Sequence, residues 1–207
     1  HYQIGSIAVR MLSFAPADIT PAFYNARIKT AYDLRQMLLK KMPDTNVYRL
    51  IHGEGDNLPG LIIDIYNDTA VLQMNSIGMF LAREHIAQSV KNFYGERIQH
   101  IYCKCASSLP RKALENEEKN FFMAGDKSVG TVQEYGIKYE INWIEGQATG
   151  FFIDQRENRK LIAHYAAHRK IANIFGYTGG FSLIALQNNA ELVHTIDSSA
   201  KAIDLTE

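Results

Sequence analysis

The strongest chemical pattern in the chain is three glycines and one carboxylate in the stretch from Ala172 to Asp197, ANIFGYTGGFSLIALQNNAELVHTID. Gly176, Gly179 and Gly180 follow an apolar run, and residues without side chains let a backbone come close to a ligand. Asp197 lies twenty-one residues after Gly176. The next parallel strand of a doubly wound sheet would end there, and a carboxylate at that place can accept hydrogen bonds from ribose hydroxyls. No Lys-Ser/Thr pair follows the glycines, which disfavours a phosphate-cradling P-loop, and Tyr177 and Thr178 put Gly179 out of register for a dinucleotide fingerprint. The common adenosine ligand that remains for such folds is S-adenosylmethionine, with its ribose at Asp197 and its amino-acid end on the loop of Tyr177, Thr178 and Gly179. A structural glycine turn between a buried strand and helix is the plain alternative.

A second stretch, GQATGFFIDQRENRK, sets Phe151 and Phe152 before Asp154, Gln155 and Arg156 at the start of an expected helix. Arginine there can pair bidentately with a ligand carboxylate, and a helix N-terminus offers unpaired N–H groups. Alternatively, Asp154 caps the helix with Glu157 as its capping-box partner, the two phenylalanines are core, and Arg156 is solvated.

His52, Glu54 and Asp56 alternate in HGEGDNLPGL and could meet a cation, but Gly-Asp and Pro-Gly pairs explain the stretch as turn chemistry, so no metal site is expected. Cys103 and Cys105, separated by one residue on an expected strand, are taken to point to opposite faces, unable to bond each other, and to be small buried apolar residues rather than nucleophiles. Arg156, Arg159, Lys160, Arg169 and Lys170, with His164 and His168, could touch RNA phosphates, and a solvated helix face explains them equally well.

These residues need elements to hold them. Alternating IGSIAVRMLSF reads as a strand entered in mid-pattern, with sequence missing upstream of His1. Thr20 and Pro21 start a helix with apolar residues at Phe23, Ile28, Ala31, Leu34 and Leu38, ended by Pro43. Strands are expected at Val47–His52, Leu61–Tyr66 and Thr69–Asn75, the last two joined by a tight Asn-Asp turn. One helix over MFLAREHIAQSVKNFYG, closed by Gly95, precedes a strand in IQHIYCK. Residues 106–127 read as polar and irregular, and SVGTVQEYGIKYEINWI as a hairpin about Gly136 that completes the same domain. Beyond a boundary near Glu145–Gly146 the pattern becomes α/β, with a helix in RKLIAHYAAH, strand Ile171–Phe175, helix Phe181–Gln187 and strand Leu192–Ile196.

With 207 residues and 46% hydrophobic content the chain can bury a sizeable core, and 22 basic against 22 acidic residues leave any nucleic-acid contact to a local patch. No apolar run approaches the roughly 20 residues that span a bilayer, and the N-terminal stretch lacks the apolar block of a signal peptide, so a cytoplasmic protein is expected.

TGFFIDQRENR, then NIFGYTGGFS and TID, preceded far upstream by LIHGEGDNLPGLIIDIYND, strongly resembles the PUA-containing class I methyltransferases that modify carbon 5 of a cytosine in large-subunit ribosomal RNA. The resemblance runs from Arg49 to Asp197 and implies a domain order: the last strand of a truncated PUA domain in 1–14, an α+β middle domain of strand-strand-helix-strand-strand form in 15–145, and the start of an α/β Rossmann-like methyltransferase domain in 146–207. It implies that Phe151, Gln155 and Arg156 line the entrance for S-adenosylmethionine, that Phe175, Gly176, Tyr177, Thr178 and Gly179 form the glycine loop, and that Asp197, with Ser198 beside it, takes the ribose. Ribosomal RNA is the implied partner, and the open edge of an unfinished sheet suggests a homodimer. In that family the nucleophilic cysteine and an Asp-Pro-Pro loop come after the point where this chain ends. No catalytic residue is therefore expected in the chain, which reads as an inactive fragment cut at both ends. Where the family would have a charged sequence, CKCASSLPRKALENEE departs from it. Rival readings are a related methyltransferase of another substrate, or an RNA- or protein-binding module with a vestigial pocket.

Overall fold

The computed structural model describes residues 7, 9–109 and 117–206. The chain forms two compact units that divide between Ser128 and Val129, and not near Glu145–Gly146. The hairpin about Gly136 thus packs with the second unit.

The first unit contains α1 (Pro21–Leu39), β1 (Val47–His52), β2 (Leu61–Tyr66), β3 (Thr69–Met74), α2 (Ile77–Leu81), α3 (Arg83–Tyr94), β4 (His100–Lys104) and β5 (Asn120–Ala124). Its sheet runs β1-β2-β3-β4-β5, with β3 and β4 parallel and the other pairs antiparallel. A parallel pair needs a crossover, and α2 with α3 supplies it. Ile28 of α1, Leu50, Ile63 and Leu72 of the sheet, and Phe80, Ile86 and Val90 of the crossover helices are fully buried in one cluster.

Several expectations for this unit are corrected. Of the strand expected within 1–14, residues 1–6 and 8 lie outside the described residues, and 7 and 9–14 form no strand. The single helix expected after β3 is two, broken at Ala82 (φ −88°, ψ 5°), with the Ser76 hydroxyl capping the first by accepting from Met79 N–H. Residues 106–127 are not wholly irregular: β5 lies there, because Phe121, Phe122 and Met123 supply β-forming side chains within a polar segment. In α1, Tyr24, Ile28 and Ala31 face the core, while Leu34 and Leu38 are 44% and 42% exposed.

The second unit contains the hairpin β6 (Val129–Glu134) and β7 (Ile137–Asn142), α4 (Arg156–Ala166), β8 (Lys170–Ile174), α5 (Gly180–Gln187), β9 (Leu192–Ile196) and α6 (Ala200–Asp204). Tyr135 and Gly136 turn the hairpin with φ of 50° and 82°, the left-handed pair a two-residue turn requires. β8 and β9 pair in parallel, Lys170 opposite Leu192 through Ile174 opposite Ile196, with α5 between them in sequence. This strand–helix–strand unit is the expected α/β beginning. Beneath its loop, Asn173 Nδ2 donates to Ser182 Oγ at 2.9 Å and the Ser182 and Thr195 hydroxyls share a bond of 2.7 Å, tying both strands to the helix. No helix among the described residues is long and apolar enough to cross a membrane.

Candidate functional site

The backbone after β8 turns sharply. Phe175 and Tyr177 have φ of 60° and 50° on either side of Gly176, a region that side-chain-bearing residues rarely adopt and that costs energy unless the surroundings enforce it. Three bonds enforce it here: Gly176 N–H donates to Ile196 O (3.0 Å), Tyr177 N–H to Asp197 Oδ2 (2.8 Å), and Gly179 N–H to Gly176 O (2.9 Å). The glycines have a more local purpose than expected. A Cβ on Gly176 would lie 2.5 Å from Thr195 Cγ2, which closes that position, and one on Gly180 would lie 3.1 Å from Arg159 Cδ, a tight approach that would press on the buried arginine. Gly179 has φ of 70°, which favours glycine in its own right.

Asp197 ends β9 and holds two segments at once. Its Oδ2 takes the loop N–H of Tyr177, and its Oδ1 takes Ser199 N–H at 2.9 Å. Bonds from Ser199 N–H and then Tyr177 N–H lower the carboxyl's pKa below the usual aspartate value. Asp197 is not the cap of α6, because the Ser199 hydroxyl accepts from Ala202 N–H in that role.

Between the loop and the end of β9 lies a cavity of about 730 Å³, the size of pockets that hold small ligands. Five of the expected residues line it: Phe175, Tyr177, Thr178, Asp197 and Ser198. Phe152, Gln147 and Gly146 complete the near wall. Tyr177 braces that wall, its hydroxyl accepting from Gln147 N–H (2.9 Å) and donating to Gly150 O (3.2 Å), its ring edge-on to Phe152 at 5.2 Å between centroids. Thr178 Oγ1 is buried and has no hydrogen-bond partner, although the residue is only 5% exposed. A buried hydroxyl left unpaired is costly, and one at a cavity wall is ready for a ligand atom. The cavity, this hydroxyl and the carboxylate together fit a polar, adenosine-sized ligand.

The remaining expected residues stand behind the wall. Phe151 is buried, 5.0 Å from the Tyr139 ring and beneath the Arg159 guanidinium at 4.4 Å. Arg156 is neither a solvated arginine nor an open carboxylate clamp, because its Nε donates to Glu134 Oε2 at 3.1 Å. Gln155 bonds Asp154 and Asn158 through its side-chain amide, and Asp154 makes no capping bond to the helix. Gly176 and Gly179 shape the loop without appearing on the cavity lining.

Glu134 was missed by sequence reasoning, and Arg159 was read only as one member of a basic patch. Glu134 on β6 is fully buried, and Arg159 on α4 meets it through Nε–Oε1 (2.7 Å) and Nη2–Oε2 (2.9 Å) while Nη1 donates to Phe152 O (2.8 Å). A signal existed. Glu134 shares strand parity with buried Val132, so period-two alternation puts it on the inner face. The expected basic patch on α4 loses Arg159 and Arg156 to this inner acid, and Lys170 pairs with Glu191.

In the first unit Glu54 is paired with Arg10 (2.9 Å), and Asp56 is held bidentately by Arg35 at 2.6 Å while accepting from His52 N–H. The expectation that Cys103 and Cys105 face apart is wrong. Residues two apart on a strand share a face, and the two buried sulfurs lie 3.2 Å apart as free thiols.

Residues 118–205 match the family model of S-adenosylmethionine-dependent methyltransferases. The ribosomal RNA large subunit methyltransferase I of Aeromonas salmonicida is 36% identical over 88% of the chain and 46% of its own length. Its counterpart in Alteromonas mediterranea is 34% identical over 97% of the chain and 50% of its own length. The chain thus spans about half the length of the curated relatives it matches. The solved structure of SMU.776, assigned as a methyltransferase and complexed with SAH, superposes with a TM-score of 0.80 at 22% identity, over 95% of the chain and 49% of its own. The fold and the sequence relatives agree with the methyltransferase part of the resemblance read from the three motifs.

Proposed function

We propose that the chain is the central part of a cytoplasmic S-adenosylmethionine-dependent methyltransferase that acts on large-subunit ribosomal RNA, with carbon 5 of a cytosine as the acceptor. The observation that carries the cofactor is the cavity between the strained glycine loop and Asp197, with the unpaired Thr178 hydroxyl in its wall. The relatives support the RNA substrate, and the family resemblance supports the carbon acceptor.

When bound, the cofactor supplies an electrophilic methyl on a sulfonium. The chain's own residues bind and orient. Asp197 accepts the backbone N–H groups of Tyr177 and Ser199, with Ser198 N–H also acting on it, and a carboxylate has about four acceptor positions, so room is left for a ribose hydroxyl. Thr178 Oγ can donate to or accept from a polar atom of the amino-acid end. Phe152 and Tyr177 give an apolar wall, which Arg159 holds by its bond to the Phe152 carbonyl. Phe175, 90% exposed on the cavity rim, offers an aromatic face for a flat ring.

Methylation at carbon 5 of cytosine needs a thiolate that adds to carbon 6 and makes carbon 5 nucleophilic. The chain has two cysteines, and both are buried in the first unit. The nucleophile therefore comes from outside this chain, in a protein as long as the relatives. Incubation with unmodified large-subunit ribosomal RNA and radiolabelled cofactor tests this: a protein of the relatives' full length transfers label to cytosine, and this chain alone transfers none. Label transferred by the chain, or appearing on another base, refutes the corresponding part of the reading.

A further inference from the structure

We infer that Cys103 and Cys105 are a dithiol site that a low-molecular-weight disulfide converts to an intramolecular disulfide, in a unit separate from the cofactor cavity. The motivating observation is geometric. Both side chains lie on the core face where β4 ends, with the sulfurs 3.2 Å apart. A rise of about 3.2–3.4 Å per strand residue puts Cα atoms two residues apart at roughly 6.4–6.8 Å, the upper end of the span a disulfide bridges. Cys105 lies just past the end of β4, its N–H donating to Lys119 O and its carbonyl accepting from Ser108 N–H and Leu109 N–H in the turn that follows.

The two sulfurs are not equivalent. The two sulfurs share one hydrogen that either can donate, and each lies 3.8 Å from a carbonyl oxygen, Lys119 O for Cys103 and Leu72 O for Cys105; Cys105 Sγ alone also accepts a backbone N–H, that of Met74 at 3.3 Å. The Cys103 hydrogen bond, followed by the Met74 N–H, draws the Cys105 thiol's pKa down; the same bond and burial push that of Cys103 up. Cys105 is therefore the attacking thiolate.

The exchange balances in two steps. Cys105 attacks one sulfur of the small disulfide, forming a mixed disulfide and expelling one small thiolate, which takes up the proton that Cys105 gave to solvent. Cys103 then loses its proton, and its sulfur attacks Cys105 Sγ, releasing the second small thiolate, which is protonated in turn. Two protein thiols are oxidised to one disulfide and one small disulfide is reduced to two thiols. Both sulfurs are buried, so the reagent enters by local opening, for which the turn after Cys105 is the adjacent segment. The Ser108 hydroxyl, which donates to Met74 O at 2.7 Å, holds that turn shut.

The test incubates the chain with excess oxidised glutathione to completion, then alkylates it under denaturing conditions and maps the products by mass spectrometry. The expected result is loss of both alkylatable thiols, a peptide linking Cys103 to Cys105 within one chain, and full recovery of both thiols with dithiothreitol. Cys103→Ser should instead stop at a glutathione adduct on Cys105. Two thiols still alkylatable in the wild-type chain, stable glutathione adducts on it, or a crosslink between two chains would each overturn the inference.

Discussion

Thr178 and Glu134 are both polar and buried, and they differ in whether the chain satisfies them. Thr178 Oγ1 has no partner, so Thr178→Val removes an unpaired hydroxyl at nearly constant volume. Fold stability should hold or rise, by up to ~1–3 kcal/mol, while S-adenosylmethionine affinity falls about two- to tenfold. Denaturant midpoints and calorimetric titration of the same variant check both, and a variant that loses stability and keeps affinity would assign Thr178 to the scaffold. Glu134 is satisfied by two arginines. Glu134→Ala strands a buried guanidinium and should cost ~3–5 kcal/mol, whereas the double change Glu134→Leu with Arg159→Leu should recover much of that loss. Equal losses in the single and double variants would show that the pair is not coupled. At this scale the sequence located Asp197 and the glycine loop, whose placement at the ends of β9 and β8 depends on local spacing. It hid Arg156 and Arg159, whose roles depend on an acid more than twenty residues away on a different element.

Among the elements, β4 shows how close the reading of a strand can be and still mislead. Its position was legible from IQHIYCK, but the faces of Cys103 and Cys105 were assigned against the period of two. Lys104, between them, is buried, and that burial draws its ammonium down to about 8. The unfolded chain keeps this proton to about 10.4, so between the two values the unfolded state binds more protons and stability rises with pH. Relative to Lys104→Met, the wild-type chain should gain stability from about pH 8 to 10, read as the difference in denaturant midpoint; parallel pH profiles would contradict it. Strand β5 was not legible, because a five-residue element inside a polar segment carries too little periodicity to stand out. The hairpin β6–β7 was legible from its turn, yet its membership of the second unit was not, since that depends on the inward Glu134 and Tyr139.

At the scale of the whole molecule, two units serve unequal purposes. The first is a closed α+β core whose charged turn residues are neutralised by Arg10 and Arg35. The second carries the cavity, and its parallel strands leave Ile174 and Ile196 more than half exposed, where parallel sheets are ordinarily covered on both faces. The chain spans about half of its curated relatives, and the proposed cofactor site can be tested in it by binding alone. Calorimetric titration of S-adenosylmethionine into this chain and its Asp197→Ala variant is the most direct measurement. The account predicts saturable one-to-one binding that weakens between tenfold and several hundredfold in the variant, since the ribose acceptor is lost and the loop N–H of Tyr177 is released. No binding by the wild-type chain, or an unchanged dissociation constant in a folded Asp197→Ala variant, would contradict it.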